Sequence, residues 1–311
     1  MQHTLTNSVI FKGIGLHSGA PVTMIVHPAG VDEGIKFTRQ DVEGVDNIIS
    51  ARYDMVEQSQ LCTLLKNESG TSVSTVEHVM AAFVGCGIDN ATVILDGPEA
   101  PIMDGSSLPF VEKFMEVGVE SLHADRQAIK ILKPVEVHGK DGSYARFEPD
   151  TQSVFEFTID FDNRFIQRQT LKFTLGDNHA FLNELADCPT FTTLDQIEQL
   201  RSMGLIKGGS EENADIYTKD SVIRGKNREG KRRLDAAVRH KMLDALGDCG
   251  LAGAPIIGRY ICEKGGHALT NQLLRTLFAN PAAYMFVIDH LGVAQHSEKN
   301  QSSSPNPAYN A

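Results

Sequence analysis

Three short stretches of the chain hold residues whose types and spacing suit joint chemistry. In His240-Lys241-Met242-Leu243-Asp244-Ala245-Leu246-Gly247-Asp248, an imidazole and two carboxylates recur every four residues. Residues four apart share one face of a helix, so His240 and Asp244 would aim at one spot, with Asp248 a turn further on. That supplies two of the three protein ligands a catalytic zinc ion takes, the fourth position being left to water. A third ligand, a base and an acid must come from elsewhere. Ser74-Thr75-Val76-Glu77-His78 opens an apolar run, Val79 to Cys86, and sets a carboxylate beside an imidazole at its mouth. The positive end of such a helix would keep His78 neutral, the form a metal needs. Lys264-Gly265-Gly266-His267 puts a further histidine on a glycine-rich loop ahead of a helix. Each stretch also has a plainer reading. His240, Asp244 and Asp248 would form a solvated face beside an apolar stripe of Val238, Met242, Ala245, Leu246 and Cys249. Ser74-x-x-Glu77 is a capping box, and His267 would be a turn histidine.

The elements that must position these residues show an internal repeat. Cys86-Gly87-Ile88 recurs as Cys249-Gly250-Leu251, 163 residues further on. The same offset carries Met80 onto Leu243 and Phe83 onto Leu246, then Phe110, Val111 and Phe114 onto Leu273, Leu274 and Leu277 in a second helix. One offset holding across two helices predicts two related halves. The polar positions diverge: Glu77 falls on His240, His78 on Lys241, Ala81 on Asp244, Gly85 on Asp248 and Asp104 on His267. Each half would thus bring different groups to a shared cleft. The runs Val22–Val26, Asn90–Leu95, Ser153–Ile159 and Pro255–Ile261 are β-branched or alternating, as strands are. Strands followed by helices in each half predict an α+β fold of two duplicated two-layer sandwiches, each a sheet backed by two helices, with the site between them. The first domain is expected over 1–124 and the second over 127–296, with a disordered tail of Ser, Asn and Pro over 297–311. Lys219 to Arg233 reads as a solvated excursion. Gly13-Ile14-Gly15-Leu16-His17-Ser18-Gly19 reads as a hairpin turn, because its spacing misses the dinucleotide fingerprint and no helix follows.

A chain of 311 residues is long enough for two cores, and 41% hydrophobic residues with a mean hydropathy of -0.19 describe an ordinary globular protein. No signal segment or membrane span is read from it. Five cysteines at unpaired spacings read as reduced thiols, placing the protein in a cytoplasm. A net charge of -11 argues against nucleic-acid binding.

Taken together, these segments resemble the UDP-3-O-acyl-N-acetylglucosamine deacetylases, zinc amidases that commit bacteria with an outer membrane to lipid A synthesis. The resemblance rests on Gly13–Gly19, Thr75–His78, Pro101-Ile102-Met103-Asp104-Gly105-Ser106, Gly208-Gly209-Ser210, the His240–Asp248 stretch and Gly266-His267-Ala268-Leu269, in family order. It implies one zinc ion held by His78, His240 and Asp244, with Glu77 as general base and His267 as general acid. Asp248 would orient His267 and Thr190 would help hold the oxyanion. Lys241 and Lys264 are similar to family residues near the diphosphate, Asp160 and Phe161 to those at the uracil, and Phe191 to a further substrate contact. The implied substrate is a UDP-linked acylated amino sugar, and the implied state a monomer. Two departures stand out: Cys188-Pro189-Thr190-Phe191 replaces the family's Ala-Arg-Thr-Phe, and Lys207, Glu211, Glu212 and Asp215 surround the segment where the family builds an apolar acyl passage. Competing readings are a zinc amidase for another nucleotide sugar and a non-catalytic nucleotide-binding module.

Overall fold

Hydrophobic alternation sets the first sheet. Val9–Ile14 and Ala91–Leu95 bury every second side chain, as a strand with one covered face must. The computed structural model describes residues 1–57, 61–176, 178–225 and 233–289. In it, five strands lie in the order Val9–Ile14, Pro21–Pro28, Ala91–Leu95, Ile35–Arg39, Ile48–Ser50. Ala91–Leu95 runs antiparallel to Pro21–Pro28 and parallel to Ile35–Arg39. Helices α1 (Glu77–Cys86) and α2 (Leu108–Val117) cover this sheet. Phe11 meets Phe110 edge-on at 5.0 Å, and Phe83 stacks on Phe114 at 5.0 Å, which locks both helices onto the strands. Gly87 ends α1 in the left-handed region, at φ 68°, and its N–H returns to Phe83 O and Val84 O. A separate pair, His3–Leu5 with Val119–Ser121, ties the two ends of this half together.

The second half repeats the first. Val135–His138, Tyr144–Glu148, Ile256–Glu263, Ser153–Asp160 and Arg168–Leu175 pair in that order, with the same pattern of antiparallel and parallel neighbours. Gln127–Ile131 with Tyr284–Ile288 takes the place of the end-tying pair and joins this sheet to make seven strands. The two halves therefore share their strand order as well as their helices, although the strands ahead of each insert correspond at a shorter spacing than 163 because the second insert is longer, and the α+β class holds.

Both halves carry an insert at the same point, between the fifth strand and the next long helix. The first is a three-stranded sheet of Val56–Glu57, Leu64–Lys66 and Ser72–Val73. The second holds α3 (Asn178–Glu184), α4 (Leu194–Ser202) and a small sheet of Phe191–Thr193, Asp215–Tyr217 and Val222–Ile223. Part of the expected excursion over Lys219–Arg233 is thus structured: Val222–Ile223 is a strand, and Arg224 pairs with the buried Asp215 at 2.8 Å. Residues 226–232 and the expected tail lie outside the described residues.

Helices α5 (Ala236–Gly250) and α6 (His267–Phe278) cover the second sheet, and α1 and α5 pack on each other. The two helical layers therefore meet face to face. A Cβ on Gly247 would fall 2.1 Å from Glu77 O and 3.0 Å from Ala81 N, so only glycine lets the helices come this close. Sandwiched between sheets and helices, α5 is buried all round. The solvated face of the plainer reading does not exist, since His240, Asp244 and Asp248 are all buried.

Candidate active site

The crossing of α1 and α5 brings the three stretches together. His78 Nε2 lies 3.5 Å from Asp244 Oδ1, and His240 Nε2 lies 3.3 Å from the same oxygen. The imidazoles stand edge to face, 5.0 Å apart and 82° between planes. His240 Nδ1 donates to Cys188 O at 3.0 Å, which leaves Nε2 with its lone pair turned to the cluster. Burial drops the His240 pKa to about 3, so the ring is neutral, as a ligand must be. Burial works against the charge on Asp244, yet neighbouring His240 and Lys241 hold its carboxyl well below the usual range.

Asp244 Oδ1 is a buried oxygen with no hydrogen-bond partner among the described residues. A buried charged oxygen left bare is costly unless a cation sits on it. Ligand atoms about 2.0–2.1 Å from a tetrahedral zinc stand roughly 3.3 Å apart, close to the spacing here. The donor set of two imidazoles and one carboxylate suits a divalent transition ion. The residues present fit the metal.

Around this cluster the remaining groups close a ring. His267, at the first turn of α6, donates through Nδ1 to Asp248 Oδ2 at 2.8 Å and presents Nε2 to Glu77 Oε1 at 3.7 Å and Asp244 Oδ2 at 4.0 Å. Burial pulls the His267 pKa down, but the Asp248 and Glu77 carboxylates outweigh it and raise it to about 9. Burial in turn raises the pKa of Glu77. The capping-box alternative falls away here. Val76, not Ser74, precedes the first helical residue, no side chain caps it, and the Glu77 carboxylate instead accepts from Thr63 N at 3.0 Å.

The residues that the resemblance assigns to the substrate and oxyanion fall in four places. Phe191 packs edge-on to His240 at 6.3 Å and to Phe161 at 5.5 Å, forming an aromatic wall. Thr190 joins the halves through its backbone, donating to Gly105 O at 2.8 Å. Lys264 and Asp160 pair with each other at 3.2 Å, half-exposed, at the ends of adjacent parallel strands. Lys241 donates to Asp244 Oδ2 at 2.9 Å, so in this state it attends the carboxylate. The hairpin turn expected at Gly13–Gly19 is present, and it docks on the other half through Gly208 N to Leu16 O at 3.0 Å and Lys207 N to His17 O at 3.3 Å.

Sequence reasoning missed three participants. Thr63 touches both Glu77 and Asp248, the Cys188 carbonyl orients His240, and Ser107 Oγ donates to His78 O at 2.7 Å. Cys188 acts only through a backbone atom, which leaves no trace in residue type.

A metal-ready cluster flanked by a buried carboxylate and a carboxylate-held imidazolium, all between two α+β sandwiches, is the constellation of a metal-assisted hydrolase. Comparison with known proteins narrows the class. The family model of UDP-3-O-acyl N-acetylglycosamine deacetylase matches residues 2–279, and the chain belongs to that family. It is 46% identical to the UDP-3-O-acyl-N-acetylglucosamine deacetylase of Phenylobacterium zucineum (strain HLK1), over 91% of this chain and 95% of that relative. Proteins of the same name from Anaeromyxobacter sp. (strain Fw109-5) and Haemophilus influenzae (strain PittEE) are 41% and 40% identical, each over 92% of this chain and 91% and 92% of theirs.

Proposed function

We propose that this chain hydrolyses the N-acetyl group of a UDP-3-O-acyl-N-acetylglucosamine, releasing acetate and the free amine, the committed step of lipid A biosynthesis. The observation that carries the reading is the buried cluster of His78, His240 and Asp244 with Glu77 and His267 beside it, in a chain of this family. His78, His240 and Asp244 would hold zinc, one ligand from the first half and two from the second. When bound, zinc supplies Lewis acidity and brings the pKa of water from 15.7 towards about 7.

The chain's own groups do the rest. An amide is a poor electrophile, so water must lose a proton as it attacks. Glu77 takes that proton at Oε1, its other oxygen being occupied by Thr63 N–H. Its raised pKa brings the base closer to working pH. Thr190 stands by to stabilise the oxyanion. His267, protonated at neutral pH, delivers its Nε2 proton to the departing sugar nitrogen, while Asp248 keeps the ring turned and charged. Lys241 and Lys264 would lie near the diphosphate, Asp160 and Phe161 would contact the uracil, and Phe191, packed against His240, would be a further substrate contact. The first domain would span 1–124 and the second 127–296. The five buried cysteines fit a reducing cytoplasm, and the enzyme would work as a monomer. No helix among the described residues is long and apolar enough to cross a membrane.

The test is acetate release from the UDP-sugar alongside elemental analysis. Wild type should hold one zinc per chain and release acetate, and His240→Ala should lose both. A metal-free, active wild type would end this mechanism.

A further inference from the structure

Thr63 lies in the first insert, just ahead of the strand Leu64–Lys66, and is buried. Its backbone N–H donates to Glu77 Oε2 at 3.0 Å and its hydroxyl to Asp248 Oδ1 at 2.5 Å. Asp248 uses its other oxygen for His267 Nδ1, and Glu77 keeps Oε1 towards His267 Nε2. The four residues therefore close a loop: Glu77, Thr63, Asp248, His267 and back to Glu77. We propose that Thr63 is a positioning residue of the catalytic ring, setting the general base and the carrier of the general acid in register across the two halves.

The chemistry of the contacts supports this. A threonine hydroxyl has one proton to give, and here it is committed to Asp248. Without it, Asp248 would keep Oδ1 bare in a buried place, and the carboxylate would be free to turn away from the plane that holds His267. The backbone N–H does the same for Glu77, because a carboxylate with one oxygen fixed offers the other in one direction only. The base acts on the water adding to the amide carbon and the acid then on the departing amide nitrogen, so their relative placement bears on kcat more than on binding.

The inference rests on the deacetylase reading, and the experiment keeps the two separable. Thr63→Val preserves size and backbone but removes the hydroxyl, and Thr63→Ser restores it. Each would be assayed for kcat, KM, zinc content and Tm, alone and combined with Asp248→Asn. Thr63→Val should lower kcat about 10- to 100-fold, the usual range for an outer partner of a catalytic centre, with KM within about 2-fold and one zinc retained. Thr63→Ser should recover most of the loss. In the Asp248→Asn background, Thr63→Val should add little. In metal-free protein the His267 Nδ1–H proton resonance should move in Thr63→Val and return in Thr63→Ser. If Thr63→Val melts earlier but keeps wild-type kcat and the His267 signal, Thr63 is only glue between the halves and the inference is wrong. If wild type itself releases no acetate, it is the deacetylase reading that fails.

Discussion

In the proposed mechanism Glu77 and His267 have opposite tasks, and their surroundings push both pKa values upward from ordinary values for different reasons. Burial among other carboxylates makes Glu77 a better base, whereas the Asp248 and Glu77 charges make His267 a stronger holder of its proton. Glu77→Gln should keep zinc and lower kcat by about 10² or more, since general bases contribute on that scale. If the variant instead melts early with kcat intact, Glu77 is structural. For His267 the sign of a pH effect follows directly. In the proposed mechanism its imidazolium is the working form and persists up to a pKa of about 9, so activity should fall as pH rises through that value. Asp248 is the foremost group raising that pKa, so Asp248→Asn should shift the alkaline limb of the kcat profile downward as well as slow the enzyme roughly 10- to 100-fold. The interaction also stabilises the fold. It is fully present below the unfolded histidine value of 6.5 and fades as pH climbs through about 9.

At the scale of elements, the geometry of α1 against α5 decides whether a site exists. Gly247 is the point of closest approach, and a methyl group there would strike the backbone carbonyl of Glu77. Because backbone on a packed helix cannot swing aside, Gly247→Ala should cost on the order of 3 kcal/mol, the upper end for overpacking, read as a lowered denaturation midpoint. It should also lower kcat, since the same displacement moves Glu77 and His78 from His240 and Asp244. Loss of stability without loss of kcat per folded molecule would mean the site tolerates the shift. The helices themselves were legible in sequence. Apolar spacing marked α1 and α5, and the offset of Cys86-Gly87 to Cys249-Gly250 located both halves. The burial of His240, Asp244 and Asp248 was not legible, because a polar line on one helix looks alike whether it faces water or another helix. Thr63 was invisible for a similar reason. It gains its meaning from Asp248, 185 residues away in the chain, and no local pattern records that meeting.

Among the described residues, one continuous buried cluster joins the two halves. Phe83 and Phe114 of the first half and Leu246, Leu273 and Leu277 of the second belong to the same buried apolar cluster, with α1 and α5 as its seam. The proposed zinc ligands straddle that seam, so the ion would act as a clasp as well as a catalyst. Metal bound only by the folded chain stabilises it by RT ln(1 + [M]/Kd), about 4 kcal/mol when free metal exceeds Kd a thousandfold. For a chain of this size that corresponds to a Tm drop of roughly 6 °C on adding a strong chelator. His240→Ala should melt near the chelated wild type and ignore the chelator. In both states the continuous core predicts a single transition, seen alike by far-UV circular dichroism and by scanning calorimetry. Two separated transitions would show that the halves fold independently, and that the ligands meet only after each has formed.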